Sequence, residues 1–295
     1  MRPALKSLNI FLALTVICST YSLPCAPGYC QVEAQSSPKE VSEKSFALMK
    51  AGRSDEFAKL MLPSELECFK SALLAIADMA KSRGEEQKFV GLFEVPDRDS
   101  LNKLPPQQFL VRLMKRQFTP QVSELYSKAT TRILGVINEG EIAHCIYILS
   151  IPEVFSKVSV VSLKKDSSGW GMLLTSDLDK VMQMLKVQYA NQPGTEIPLI
   201  PELKRVKVLG SIMDGDTTAY VLVRSTTAIN GVDFDKVSAI PFKKGDPEFN
   251  LLAAKDKEAL EKSIQKELGA LVESAKSANQ AQKTTPDAQG KATQK

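Results

Sequence analysis

Two stretches of this sequence match each other in order, and that match most constrains the fold. RILGVINEGEIAHCIYIL, residues 132–149, corresponds to KVLGSIMDGDTTAYVLVR, residues 207–224. Each stretch has Val, Ile and Leu on both sides of a Gly-containing turn, which is the pattern of a β-hairpin. KVSVVSLKK at 157–165 then matches KVSAIPFKK at 236–244, and WGMLLTSD at 170 matches FNLLAAKD at 249. The sequence therefore predicts two copies of one four-stranded antiparallel unit.

A helix is expected to end each copy. Asp177 precedes an apolar pattern at 181–185, and Asp256 precedes one at 260–272. Turn residues recur for generic reasons in any antiparallel meander, which is the competing interpretation of the match. Three separate blocks match in the same order in both copies, which favours a repeated structural unit.

Helices are predicted before the strands. Residues 37–40, Ser-Pro-Lys-Glu, form a capping box, so a helix begins there, breaks near Gly52 and ends before Pro63. Ser64 and Glu67 repeat the capping spacing and predict a second helix, which runs to Gly84. Apolar residues at helical spacing predict two further helices after residues 104–106 and after 119–120.

The segment between these helices is predicted to be a loop. Residues 85–104 mix charged residues with Pro96, and they include a short apolar run, KFVGLFEV, that favours an extended segment.

The predicted fold class is α+β, with N-terminal helices on the concave side of a curved antiparallel sheet. Both alternating sets of EIAHCIYIL are mainly apolar, so both faces of this strand are expected to be covered. The helices and first meander are assigned to 36–186, and the second repeated four-stranded meander with its C-terminal helix to 187–273. Residues 274–295 contain almost no large apolar side chains and predict a disordered tail.

The first 34 residues have the layout of a signal peptide. Arg2 and Lys6 precede an apolar run from Leu8 to Ile17, and an A-x-A-like cleavage motif ends at Ala34. The run is too short and too interrupted for a stable transmembrane anchor. We therefore expect an exported protein, either periplasmic or extracellular. The whole chain has a formal charge of +4, which is too mild to indicate a nucleic-acid partner.

The predicted order of elements resembles the cone-shaped fold of the nuclear-transport-factor-2-like superfamily. In this order, helices come first, and they are followed by the hairpin GVINEGEIAHCIYIL and then by KVSVVSLKKDSSGWGMLL. The phrase at 169–174, Gly-Trp-Gly-Met-Leu-Leu, is similar to the last strand of its secreted bacterial members. The resemblance covers residues 36–185. Those members are largely without an assigned function, so the resemblance implies architecture more than activity. Enzymes of the cone fold often use a His or Asp deep in a pocket.

His144 is the single histidine, and it is therefore the weak candidate for a catalytic base. An ungapped alignment of the two copies places Ala219 at its position, so the repeated scaffold does not need it. Glu139 and Glu141 belong to the adjacent turn and are interpreted as solvated charges. No cofactor fingerprint and no spacing typical of metal ligands is present in the sequence.

The aromatic residues Tyr126, Tyr147 and Trp170 are weak candidates for lining an apolar ligand pocket between the helices and the sheet. Ordinary core packing is the competing role for all three. Loss of the leader leaves two cysteines, Cys68 and Cys145. They either pair in an oxidising compartment or are two separate buried thiols.

Three classes of function remain open. The first is an exported, non-catalytic binding or interaction module, whose partner is a small apolar ligand or an envelope protein. The second is a cone-fold enzyme of the isomerase or hydratase type with His144 as the base. The third is a structural or assembly protein of the cell envelope that uses exposed sheet edges.

Overall fold

Helices at both ends of the described chain enclose two antiparallel sheets. The computed structural model describes residues 37–167, 169–174, 201–229 and 232–284. Within these residues the helices are α1 (Pro38–Lys50), α2 (Ser54–Ala58), α3 (Pro63–Ser82), α4 (Glu86–Val90), α5 (Arg98–Lys103), α6 (Pro106–Gln117), α7 (Pro120–Ser127), α8 (Pro247–Ala253) and α9 (Lys257–Thr284). The strands are β1 (Thr130–Glu139), β2 (Ile142–Ile151), β3 (Phe155–Asp166), β4 (Gly169–Met172), β5 (Pro201–Asp214), β6 (Thr218–Ile229) and β7 (Val232–Lys243). The predicted α+β class is confirmed.

Some predicted features fall outside the described residues. These are the signal segment 1–34, the helix at 181–185, the boundary between 186 and 187, and the tail from residue 285 onward. None of the helices that the structure describes is both long enough and apolar enough to span a membrane.

The first helix begins where the capping box predicts. The Ser37 hydroxyl accepts a hydrogen bond from the Glu40 amide at 3.3 Å, with Pro38 at the first helical position. Gly52 ends the segment with a φ of +66°, a conformation that costs glycine little. Val41 and Phe46 are buried on the inner face of α1.

The start of α3 differs from the prediction. Its N-cap is Leu62, which makes no side-chain cap, and the helix begins at Pro63 rather than after Ser64. The physical reason is that the preceding residues are extended and pair with β4. The Leu62 amide donates to the Met172 carbonyl at 3.1 Å, and the Met172 amide donates to the Leu60 carbonyl at 2.8 Å. This pairing covers the outer edge of β4.

The predicted loop at 85–104 is wrong, because this segment is helical. It contains α4, a 3-10 turn at Gly91–Phe93, and α5. Phe89, Val90 and Phe93 recur at helical spacing and are all buried in the core formed with α3 and α6. The rings of Phe93 and Phe109 lie 5.1 Å apart between centroids. A short apolar run alone does not distinguish this arrangement from a buried strand.

Sheet A has the strand order β1-β2-β3-β4, so every neighbour in the sheet is also the neighbour in sequence. Gly140, with φ +61°, supplies the turn between β1 and β2. Glu139 pairs with Ile142, and the register shifts once, between Ile133 and Gly135. The sheet is the antiparallel meander predicted for the first copy.

Sheet B has the order β5-β6-β7 and is separate from sheet A. The predicted fourth strand of the second copy is wrong, because the segment FNLLAAKD lies mostly in helix α8. Pro247 occupies the first helical position after Asp246, which starts a helix where the first copy has a strand. The predicted disordered tail also begins too early. Helix α9 continues past residue 274 to Thr284.

The elements form four layers. One face of sheet A packs on the N-terminal helices, through Cys145 and Leu163 among others. Its opposite face packs on sheet B through a cluster with Ile146, Leu222 and Val237 at its centre. The outer face of sheet B is covered by α9, whose Leu260 and Ile264 are buried against β5, β6 and β7. The expectation that both faces of β2 are covered is therefore confirmed.

The two sheets have closely matching registers. Ile137 pairs with His144 in sheet A, and Ile212, 75 residues after Ile137, pairs with Tyr220 in sheet B. The turn between β5 and β6 has three residues, 215–217, whereas the turn between β1 and β2 has two. The ungapped alignment is therefore wrong by one residue in the second strand. Tyr220, not Ala219, occupies the position that corresponds to His144.

A reciprocal contact joins the sheets at two glycines. A Cβ atom at Gly135 would lie 2.7 Å from Ile212 Cδ1, and one at Gly210 would lie 3.0 Å from Ile137 Cγ2. Each glycine is at a register shift of its own strand, and each receives the isoleucine of the other sheet. Equivalent residues thus make equivalent contacts in opposite directions.

We expect Gly135→Val to lower the free energy of unfolding by about 1–3 kcal/mol, because its side chain would overpack against Ile212. Urea unfolding of the purified protein measures the change. In an Ile212→Ala background the cost of the same substitution should fall. Gly269→Ala on α9 is the control, because nothing lies within 4 Å of its added Cβ, and it should stabilise by up to about 1 kcal/mol. Equal costs of Gly135→Val in both backgrounds would contradict the proposed packing.

Candidate functional site

His144 lies on the face of sheet A that is covered by sheet B. Ile142 and Ile146, two residues to either side of it on β2, both belong to the apolar cluster between the sheets. The imidazole is fully buried, with a relative exposure of 0%. Nδ1 lies 2.9 Å from the Ser162 hydroxyl on β3, and Nε2 lies 3.3 Å from Glu139 Oε2. The sequence candidate is therefore an interior residue with both ring nitrogens engaged.

Glu139 links the histidine to the other sheet. Arg224 on β6 donates through Nη2 to the same carboxylate oxygen that faces the imidazole. Lys207 Nζ on β5 lies 3.9 Å from the other carboxylate oxygen. The interpretation of Glu139 as a solvated turn charge is wrong, because its side chain is only 26% exposed and joins three other side chains. We call His144, Ser162, Glu139, Arg224 and Lys207 the intersheet cluster.

The hydrogen bonds assign the tautomer of the histidine. An ionised carboxylate only accepts, so the imidazole Nε2 must carry the proton that faces Glu139. Nδ1 is then an acceptor, and the Ser162 hydroxyl donates to it. Burial lowers the pKa of His144, and the neighbouring Glu139 opposes this fall while Arg224 reinforces it. The neutral imidazole is the form that this arrangement stabilises.

One cavity in the described residues lies away from His144. It is lined by 59–63 together with Trp170 and Gly171, and it has a volume of about 10 Å³, enough for a single water molecule. The cavity therefore has no space for a substrate. A general base must lie within hydrogen-bond reach of the proton that it abstracts, whereas both ring nitrogens of His144 already face protein groups, Ser162 and Glu139.

The three aromatic candidates do not converge on one chamber. The Tyr126 ring packs at a tilt against Phe118, with ring centroids 5.3 Å apart, and the Tyr147 ring packs in the same way against Phe46 of α1, with centroids 4.4 Å apart. Burial raises the pKa of the Tyr147 phenol, which a hydrogen bond with Ser159 opposes and nearby Tyr126 reinforces. Trp170 lies on β4 and packs against the helical core. Tyr126 and Tyr147 are thus neighbours, whereas Trp170 lines the separate small cavity.

The two cysteines carry thiols rather than a shared disulfide bond. Cys68 on α3 is exposed, and Cys145 on β2 is buried. The expectation that both thiols are buried is therefore correct for Cys145 and wrong for Cys68. Burial raises the pKa of the Cys145 thiol, and a hydrogen bond with Ser42 partly offsets the rise.

Within the described ranges, no group of three His, Cys, Asp or Glu side chains is arranged to hold a metal ion. No protein-family model, no curated protein and no solved structure matches this chain. The residues missed by sequence reasoning are Glu139, Arg224, Lys207 and Ser162. These residues alternate with apolar residues along their strands, which assigns each of them to one face of its own sheet. Nothing in the sequence indicates that these two faces pack against each other.

Two substitutions should move the pKa of His144 in opposite directions. Arg224→Gln removes a cation that disfavours the imidazolium, so the pKa should rise. Glu139→Gln removes the anion that favours it, so the pKa should fall. NMR titration of the single histidine measures both shifts. Shifts of the same sign in the two variants would contradict the assigned cluster.

Alkylation of the native protein should distinguish the two thiols by their reactivity. Iodoacetamide should modify exposed Cys68 readily, whereas buried Cys145, with its raised pKa, should react only after unfolding. Peptide mapping by mass spectrometry measures the modification at each site, and a sample in denaturant is the control in which both react. Rapid modification of Cys145 in the native protein would place it at the surface instead.

Proposed function

We propose that this protein is an exported, non-catalytic interaction module that acts by contact with another protein of its compartment. The observation that carries the proposal is the placement of exposed apolar side chains. In the described residues the large hydrophobics that are exposed are Leu125, Val154, Phe155, Met213 and Leu271, at 40%, 59%, 42%, 53% and 65%. Four of these five lie at one end of the paired sheets.

The topology places these four residues toward the same end of the two sheets. Leu125 is on α7, which ends three residues before β1 begins at Thr130, and Thr130 pairs with Ser150 beside the β2–β3 turn. That turn carries Val154 and Phe155. Met213 precedes Asp214, whose carboxylate makes a two-point ion pair with Arg132 at the start of β1, at 2.7 and 2.9 Å. We call this end of the molecule the apolar end.

An apolar end favours protein contact, because exposed large hydrophobic residues that cluster mark interaction sites more often than scattered ones do. The burial of His144 supports a non-catalytic role. The imidazole is enclosed between two sheets and is bonded at both nitrogens, so the enzyme alternative would need a rearrangement of the intersheet contact.

We also infer that the two sheets are copies of one unit. The support comes from the matching pairings of Ile137 with His144 and Ile212 with Tyr220, and from the reciprocal glycine contacts. The cone-like architecture is likewise a proposal for residues 37–174. It is supported by helices that cover one face of a four-stranded antiparallel meander. Export is proposed from the leader pattern of residues 1–34.

The test compares variants of the apolar end with a matched control elsewhere. Native mass spectrometry of protein purified from its own source should detect a protein complex, either with a partner or with a second copy. Val154→Ser combined with Phe155→Ser should reduce the complex at least about tenfold, which corresponds to about 1.4 kcal/mol. Leu271→Ser, a change of the same kind on α9, should leave it intact.

Two outcomes would overturn the proposal. One is wild-type protein that is monomeric and carries no protein partner. The other is an equal loss of the complex in the apolar-end variant and in Leu271→Ser. A retained small apolar molecule in place of a protein would favour the ligand-binding alternative.

A further inference from the structure

We propose that the intersheet cluster makes the contact between sheet A and sheet B sensitive to acid, with His144 as the residue that takes up the proton. This inference concerns the interior of the molecule and does not depend on the proposed function. It rests on the position of the imidazole, on the charges that face it, and on the fact that these charges come from both sheets.

The first step concerns hydrogen bonding. With a neutral imidazole, Nε2 donates to Glu139 and Nδ1 accepts from Ser162, so each nitrogen is satisfied. A second proton would go to Nδ1, and the Ser162 hydroxyl would have to turn from donor to acceptor. Protonation therefore disrupts a satisfied arrangement in a place where the imidazole has no access to solvent.

The second step concerns charge. In the described residues, the charged groups that face His144 include Glu139 from β1 and Arg224 from β6, while Lys207 from β5 faces the other oxygen of Glu139. One carboxylate already meets two cations when the imidazole is neutral. An imidazolium would add a third cation beside the Glu139 carboxylate, and the burial of the imidazole limits its screening by water. Ser162 on β3 has no charge with which to compensate.

The third step is location. Glu139 and His144 belong to sheet A, whereas Arg224 and Lys207 belong to sheet B. The cluster borders the apolar contact centred on Ile146, Leu222 and Val237. Added positive charge on His144 therefore repels groups of the opposite sheet, and separation of the sheets lets water reach the imidazolium. Acid should weaken this contact in preference to the packing of the helices on sheet A.

Burial lowers the pKa of His144 in the folded state below the ordinary value of 6.5, so the open state binds more protons as the pH falls. Stability is highest above pH 6.5 and is lost as the pH falls from there through the lower folded pKa. One proton limits the change to about tenfold in the opening equilibrium per pH unit.

The composition makes this effect measurable. His144 is the single histidine in the chain, and no other type of side chain has an unperturbed pKa between pH 5 and 8. Hydrogen–deuterium exchange of β2 and β6 amides between pH 7.5 and 5, corrected for intrinsic exchange, reports opening of the sheets. In the wild type the opening should increase by up to about tenfold per pH unit below 6.5. In His144→Gln this dependence should be lost, while the increase due to carboxylates remains.

Equal pH dependence in the wild type and in His144→Gln would overturn the proposal. Should that variant fail to fold, NMR titration of the wild-type histidine decides the matter. A pKa below 6.5 in the folded protein supports the proposal, and a value at or above 6.5 overturns it. Amides of α3 serve as the internal reference, because this helix packs on the far side of sheet A. Opening that increases equally in α3 and β6 would mean global acid unfolding rather than loss of the intersheet contact.

Discussion

The face-to-face contact between the two sheets is the constraint on which the rest of the described structure depends. Sheet A is covered by helices on one face only, and sheet B is covered by α9 on one face only. Each therefore needs the other to bury its second apolar face. The fully buried Ile146 and Leu222 each contribute about 1.5–3 kcal/mol when removed from water. Apolar burial thus provides the main attraction between the sheets.

The intersheet cluster affects how the two sheets are registered more than how strongly they attract each other. A partly buried ion pair such as Glu139–Arg224, whose side chains are 26% and 21% exposed, gains little over apolar residues of the same volume, but removing one partner is destabilising because it leaves the other charge unpaired. Glu139 is the centre of this dependence, since it accepts from His144 and Arg224 and lies near Lys207. The cluster therefore makes the registration of the sheets depend on the ionisation of its members, whereas the apolar contacts do not change with pH.

Local patterns predicted much of the fold because their causes are local. The serine of residues 37–40 caps α1 as expected, and the hairpin pattern of 132–149 gives β1 and β2. KFVGLFEV was misread because a short apolar run fits a strand and a buried helix equally well. FNLLAAKD was misread because its likeness to the first copy outweighed the helix start at Pro247. Low hydrophobicity past residue 274 does not mean disorder, because Ala, Glu, Lys and Gln are good helix formers and α9 continues to Thr284.

The candidate site was less predictable, because its partners are distant in sequence. Arg224 lies 85 residues from Glu139, and no periodicity reports which strands of two sheets face each other. The extra turn residue between β5 and β6 also concealed the correspondence of Tyr220 with His144. The sequence pattern places His144 on the second strand of the first hairpin, but its neighbours become visible only with the pairing of the sheets.

The intersheet contact has two equivalent halves, one with His144 and one with Tyr220 at the corresponding position. Comparing them shows which features serve packing and which serve proton sensitivity. The ion pair Arg132–Asp214 corresponds to the pair Lys207–Glu139 with the sheets exchanged. Lys207 lies 75 residues after Arg132, and Asp214 lies 75 residues after Glu139. Asp214 raises the pKa of Arg132, and nearby Tyr220 contributes to the rise. The half of the intersheet contact that contains Tyr220 thus keeps the ion pair and the glycine contact without a histidine. Sheet docking therefore does not require a histidine, and the proton sensitivity of the His144 half is an addition to the packing rather than a condition for it.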